Sequence, residues 1–180
     1  MPNTILDFER LAEARVFPDK TPYKSLSVHH ILDISRRSGA PGREIEIAAL
    51  ENGIVPERYA RNMRTFSLAD QAALLKAHAA VVGLGGLGGA VTEILARMGV
   101  GRLTLVDGDR FEDSNLNRQL LSSIAHLGHL KAEAARQRVD QINPSVGCRG
   151  SAEFLTPENA PELLAPCDVV VDCLDNLPAR

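Results

Sequence analysis

Apolar positions along the chain fall into two periods. His78 to Leu84 is a short continuous apolar run that feeds a glycine turn. Behind it Leu87, Ala90, Val91, Ile94, Leu95 and Met98 recur at three- and four-residue spacing, the period of one buried helix face. Gly99 follows as a helix stop. Arg102 to Val106 reads as a second strand, and Leu130 to Ile142 as a helix closed by Pro144. A weak strand is expected near Val146 to Ala152. Thr156-Pro157 opens a short helix, with proline at a tolerated first position. Asp168 to Cys173 reads as a buried strand. Upstream, Ser67-Leu68-Ala69-Asp70 has the form of a capping box that opens a helix to about Ala77.

Strands alternating with helices imply a parallel sheet with right-handed crossovers. The expected fold is α/β, a Rossmann-like parallel sheet that makes up the first half of a doubly wound fold. Residues 1 to 57 have a different texture. They are charged and interrupted by Pro18, Pro22, Gly39, Pro41 and Gly42. Helices are expected over Phe8 to Arg15, Val28 to Arg37 and Arg43 to Asn52. The organisation expected is a helical N-terminal extension over 1–57, a cap or a dimer arm, followed by a nucleotide-binding domain over 58–180. A helix-turn-helix can be drawn through the second and third helices, but acids slightly outnumber bases there, which argues against DNA.

Composition narrows the function classes. A formal net charge of −3 provides no basic field for nucleic acid. Hydrophobic residues at 44% are ordinary for a globular protein. No stretch is long and apolar enough to span a membrane, and the first 30 residues lack a signal-peptide core. Cys148, Cys167 and Cys173 form no CxxC pair. The expectation is a cytoplasmic protein with no zinc site and no membrane or nucleic-acid partner.

The chemistry starts at Gly83, Gly85 and Gly88, which match GxGxxG between a strand and a helix. The first glycine permits the tight turn, the second lets backbone approach a phosphate, and the third allows close helix–strand contact. Free N–H groups at the helix start favour an anion there. Asp107 ends the second strand at the interval that suits a ribose hydroxyl. Both ATP and NAD carry that ribose, so these residues leave the nucleotide open.

The loop Ser114-Asn115-Leu116-Asn117-Arg118-Gln119 follows the Asp107 strand. Ligands of doubly wound sheets bind beyond the carboxyl ends of the strands. Asn115 and Arg118 are therefore placed to reach phosphates, and a guanidinium can do so with two bonds. Lys131 opens the next helix. Asp175 and Asn176 follow the last strand at the same edge, where a carboxylate suits Mg²⁺. Taken singly, Arg118 and Lys131 read equally well as solvated surface charges, and Asp172 and Asp175 as turn caps. Their joint placement around one glycine loop carries the weight. The scattered histidines receive no role.

These pieces resemble the ThiF/MoeB/HesA adenylyltransferases, relatives of the ubiquitin-activating enzymes. The matching segments are Arg58-Tyr59-Ala60-Arg61-Asn62, Gly83 to Gly88, Asp107-Gly108-Asp109, Ser114 to Gln119, Gly128-His129-Leu130-Lys131 and Asp172-Cys173-Leu174-Asp175-Asn176. The resemblance spans about residues 57 to 180. It implies that Gly83, Gly85, Gly86, Gly88, Asp107 and Asp109 belong to an ATP site. It implies phosphate contacts from Asn115, Arg118 and Lys131, and Mg²⁺ at Asp175. Arg61 would enter the ATP site of a neighbouring subunit, which implies a homodimer. The implied substrate is a small ubiquitin-like sulphur carrier ending in Gly-Gly, adenylylated on its C-terminal carboxylate. The family pattern continues beyond the Asp-Asn element, so the chain is expected to stop partway through a larger domain. Three other readings stand beside this one. One is an NAD-dependent oxidoreductase, which gives no joint purpose to Arg118, Lys131 and Asp175. Another is a non-catalytic nucleotide-binding module. The last is a family relative that dehydrates a modified tRNA base, disfavoured because the chain is mildly acidic and the run Ser114 to Gln119 resembles the carrier-activating branch more closely.

Overall fold

In the computed structural model, residues 2–175 are described. The chain divides into two compact units, Met1–Lys76 and Ala77–Arg180. The segment that opens the family-like pattern at Arg58 therefore belongs to the first unit.

In the second unit the alternating periods become β4 (His78–Val82), α5 (Gly86–Met98), β5 (Arg102–Val106), α6 (Lys131–Ile142), β6 (Gly147–Ser151), α7 (Ala160–Leu164) and β7 (Val169–Asp172). The strands form one parallel sheet in the order β6-β5-β4-β7. β4 lies inside it and is buried throughout, which explains its unbroken apolar run. β5 and β6 step away on one side of β4 and β7 on the other, so the strand order reverses at β4. A crevice at such a reversal is where open α/β sheets bind ligands. Gly99 ends α5 in the left-handed conformation (φ 85°), and its N–H returns to Leu95 and Ala96. Helices α5 and α6 are tied by Arg138 to Glu93 at 2.9 Å and by Asn143 to the Ala96 carbonyl at 3.0 Å.

The strand over Asp168 to Cys173 is present but is not buried as expected. Val169 and Val170 are 53% and 44% exposed. Among the described residues β7 is an edge strand, paired on one side only. Its apolar run reports the neighbours such a strand suits, not the ones it has here.

The first unit holds α1 (Pro2–Leu11), β1 (Glu13–Val16), β2 (Pro22–Leu26), α2 (Val28–Ser38), α3 (Gly42–Glu51), β3 (Ile54–Pro56) and α4 (Leu68–Lys76). The second and third expected helices are there as α2 and α3, whereas the first runs over Pro2–Leu11 instead of Phe8 to Arg15; a three-stranded sheet in the order β1-β2-β3 accompanies them. β1 and β2 form an antiparallel hairpin, and α2 and α3 cross over to the parallel strand β3. The first helix ends at Leu11, before the hairpin. All four residues of β1 are exposed, so the strand has no buried face to create a period-two pattern. Phe8, Leu26, Ile31, Ile34, Ile45 and Ala49 form the core. The capping box is made as expected: Asp70 N–H donates to Ser67 Oγ at 3.2 Å, and Ser67 N–H to Asp70 Oδ2 at 2.9 Å.

Candidate nucleotide site

A cleft of about 430 Å³ opens at the carboxyl ends of β4, β5 and β7, within the size range of small-molecule sites. The glycine turn forms its floor. Gly83 sits at φ +85°, and a Cβ there would lie 2.9 Å from the Cys173 carbonyl oxygen. At Gly88 a Cβ would lie 1.7 Å from the Gly83 carbonyl oxygen. Gly83 and Gly88 thus let the turn and the start of α5 close on each other and on the end of β7. At Gly85 the nearest atom to an added Cβ is Gln119 Nε2 at 3.7 Å. Packing within the chain therefore does not require glycine there. The space above Gly85 is open to the cleft.

Asp107 binds this turn directly. Its Oδ2 accepts from Leu84 N–H at 2.7 Å and its Oδ1 from Asp109 N–H at 2.8 Å. The carboxylate is fixed by backbone donors and keeps acceptor capacity toward the cleft. Lys131, only 7% exposed, donates to Asp109 Oδ2 at 3.0 Å. Arg118 is exposed and donates to the Ser114 carbonyl and to Asn117 Oδ1 at 3.1 Å. Asp175 is exposed at the far rim, beyond β7.

Of the residues singled out from the sequence, Gly83, Gly85, Gly86, Asp107, Asp109, Arg118, Lys131 and Asp175 line this one cleft. Gly88 shapes it from behind. Asn115 is 7% exposed and does not line it. Its Oδ1 accepts from Glu112 N–H at 3.0 Å, which caps the turn that carries Arg118. Arg61 lies in the first unit and is exposed. Asn176 lies outside the described residues. Cys173 backs the glycine turn. Burial first, and the nearby Asp172 charge second, hold its thiol above the ordinary value, so it stays protonated.

The sequence assigned no role to several lining residues, among them Glu153, Phe154 and Gln119, the last quoted only as part of its loop. Phe154 is 65% exposed on the rim, with its ring against Gly108, where a Cβ would meet it at 2.7 Å. The available signal was a lone aromatic after a strand in a chain with 4% aromatics. Gln119 is 8% exposed, and its Oε1 has no hydrogen-bond partner among the described residues.

The electrostatics bear on magnesium. Asp107, Asp109, Glu153 and Asp175 line the cleft against Arg118 and Lys131. A triphosphate entering with its own charge would meet net repulsion, which a divalent cation offsets. No group of three or more His, Cys, Asp or Glu among the described residues is arranged to hold a metal. Mg²⁺ does not require one, because it takes one or two carboxylates with the remaining positions filled by phosphate and water. The exposed Asp175 carboxylate fits that use.

The chain matches the ThiF family over residues 59–180. It belongs to that family. It is 46% identical over 110 residues to a sulfur carrier protein adenylyltransferase of Thermus thermophilus, covering 61% of this chain and 41% of the relative. It is 42% identical over 125 residues to the molybdopterin-synthase adenylyltransferase of Escherichia coli, covering 68% and 50%. Among solved structures, the E. coli tRNA N6-threonylcarbamoyladenosine dehydratase TcdA in complex with ATP superposes with a TM-score of 0.64 at 33% identity, over 67% of this chain and 50% of that one. The chain thus spans half or less of the length of these curated relatives. In the described residues no helix is long and apolar enough to cross a membrane.

Proposed function

We propose that the chain provides the ATP site of an adenylyltransferase acting on the C-terminal carboxylate of a small ubiquitin-like sulphur carrier that ends in Gly-Gly. One observation carries this reading. A glycine turn, two cations and an exposed carboxylate share one cleft at the strand-order reversal of a parallel sheet. The family membership and the relatives named for sulfur carriers support the substrate class.

The residue types suit the chemistry. The attacking carboxylate is ionised at neutral pH, so no general base is needed. Its oxygen forms a bond to the α-phosphorus, and the bond from that phosphorus to the bridging oxygen breaks. The electron pair leaves on pyrophosphate, and the product is an acyl-adenylate. The barrier lies in bringing one anion to another and in the charge of the leaving group. Arg118 and Lys131 supply positive charge to the phosphates, and the start of α5 supplies N–H donors. Asp107 takes the ribose, and the exposed ring of Phe154 offers an apolar face to the base. Asp175 would hold Mg²⁺ together with phosphate oxygens, and the ion would neutralise charge on the departing pyrophosphate. Arg61 would complete the site of a neighbouring copy in a homodimer. An NAD-dependent reaction would leave Arg118, Lys131 and Asp175 without a joint task.

The test is ATP–pyrophosphate exchange with a purified carrier. Exchange should appear only with a carrier that has a free Gly-Gly terminus. Arg118→Ala or Asp175→Ala should lower it by about 10²–10³, the cost of losing one preorganised charge-stabilising group. Exchange that survives either change, or that ignores the carrier terminus, contradicts the reading.

A further inference from the structure

We infer that the first unit acts as a brace for the Arg58–Arg64 turn, with Glu46 as the positioning residue that sets Arg61. The inference rests on the proposed role of Arg61 in a neighbouring site. Glu46, on α3, is fully buried. A buried carboxylate is costly unless it is paired and hydrogen-bonded. Two of its partners come from that turn: Tyr59 Oη donates to it at 3.1 Å, and Arg58 Nε lies 3.4 Å away. The Tyr59 ring is itself fully buried, against Leu50, Ala72 and Leu75.

The flanks of the turn are anchored independently. β3 runs into it directly and is held in register by β2, Lys24 opposite Ile54 and Leu26 opposite Pro56. Glu57 accepts from Tyr23 Oη at 3.1 Å and from Ser25 Oγ at 2.5 Å. On the far side Asn62 Nδ2 donates to Gln71 Oε1 at 2.8 Å, and Gln71 is fully buried. Glu57, Arg58, Tyr59 and Asn62 are thereby tied down while Arg61 stays exposed. Stability alone does not call for a buried carboxylate and guanidinium, because apolar residues of similar volume often serve as well. What the pair adds is a specified backbone position for the turn. An arginine that must reach a phosphate on another molecule depends on that, since ordering a free loop at binding subtracts from affinity. Tyr23, Ser25 and Glu46 precede residue 59, where the family match begins.

A double-mutant cycle on ATP affinity in the full chain separates positioning from mere stability. The variants are Glu46→Gln, Arg61→Ala and the two combined. They are titrated with ATP–Mg²⁺ by calorimetry at a temperature where each is folded by circular dichroism. Arg61→Ala should weaken binding about tenfold, the loss of one charged hydrogen bond. Glu46→Gln alone should reproduce a large part of that loss in affinity, and the double variant should bind no more weakly than Arg61→Ala. If Glu46→Gln does not fold, Tyr59→Phe takes its place, because it removes one hydroxyl and keeps the ring in the core. Additive effects, or wild-type affinity for the Glu46 and Tyr59 variants beside a weakened Arg61→Ala, overturn the brace alone. Wild-type affinity for Arg61→Ala overturns the role of Arg61, and the brace loses its purpose with it.

Discussion

Gly85 and Gly88 stand three residues apart, and packing within the chain requires glycine only at Gly88, whereas the proposed phosphate contact gives the reason at Gly85. At Gly88 an added Cβ would fall 1.7 Å from the Gly83 carbonyl oxygen and 2.8 Å from its carbon, both backbone atoms. Ordinary contact is about 3.5 Å, so the start of α5 must retreat from the turn by about 1.5 Å or more. Overpacking of this kind costs about 3 kcal/mol at the upper end of its usual range. Gly88→Ala should therefore lower the melting temperature by roughly 6–12 °C. At Gly85 an added Cβ meets nothing closer than Gln119 Nε2 at 3.7 Å, and φ is −70°. Gly85→Ala should cost far less stability than Gly88→Ala, because its methyl meets only ordinary contacts. Its methyl would occupy the space a phosphate needs, so ATP affinity should fall at least about tenfold, or about 1.4 kcal/mol. Differential scanning fluorimetry reads the first effect and calorimetric titration with ATP–Mg²⁺ the second. A Gly85→Ala protein that binds ATP like the wild type would refute the assignment of this turn to phosphate.

Further expectations follow from the same geometry. If Arg61 serves a neighbouring copy, Arg61→Ala and Arg118→Ala chains, each weak alone, should recover activity when mixed, since one site in each heterodimer is then intact; no recovery on mixing contradicts a shared site. Glu93 is held below the usual carboxylate value, chiefly by its hydrogen bond from Arg138 and secondly by that from Arg97. Its contribution to stability is then fully present above the unfolded value and is lost as pH falls through the lower folded value. Glu93→Gln should accordingly cost more urea resistance at pH 7 than at pH 3.5, and an equal cost at both would show the ion pair to be idle. Burial, with the Asp140 charge second, pushes the Cys148 thiol up to about 12. Native Cys148 should resist alkylation at pH 8, as measured by peptide mass mapping, and rapid labelling would contradict that burial.

The second unit was legible from its periods because β4 and β5 are buried along nearly their whole length and its helices bury one face. β5 carries the bounds its apolar run predicts, and α5 stops where Gly99 says it must. The hairpin of the first unit was not legible, because β1 buries nothing and leaves no alternation to read. The exposure of β7 was missed for the opposite reason: Val169 to Val171 encode a buried strand wherever their neighbours are. At the site, residue type and strand-end position sufficed to bring Arg118, Lys131 and Asp175 to one cleft. They did not separate Asn115, whose side chain caps a turn, from residues that line the cleft. Phe154 was invisible because the contact that places it, its ring on Gly108, joins two loops that follow different strands. Glu46 has no role in the sequence reading; only its burial beside Arg58 and Tyr59 distinguishes it from the exposed Glu44 and Glu51 of the same helix.

The proposed function requires the cleft to prefer a magnesium triphosphate over a dinucleotide. Calorimetric titration of the chain with ATP–Mg²⁺ and with NAD, each repeated on Lys131→Met, tests it directly. Tighter binding of ATP–Mg²⁺ than of NAD is expected, with a loss of about tenfold or more for ATP in the variant as one charged contact is removed. Tighter binding of NAD, or ATP binding indifferent to Lys131, would contradict it.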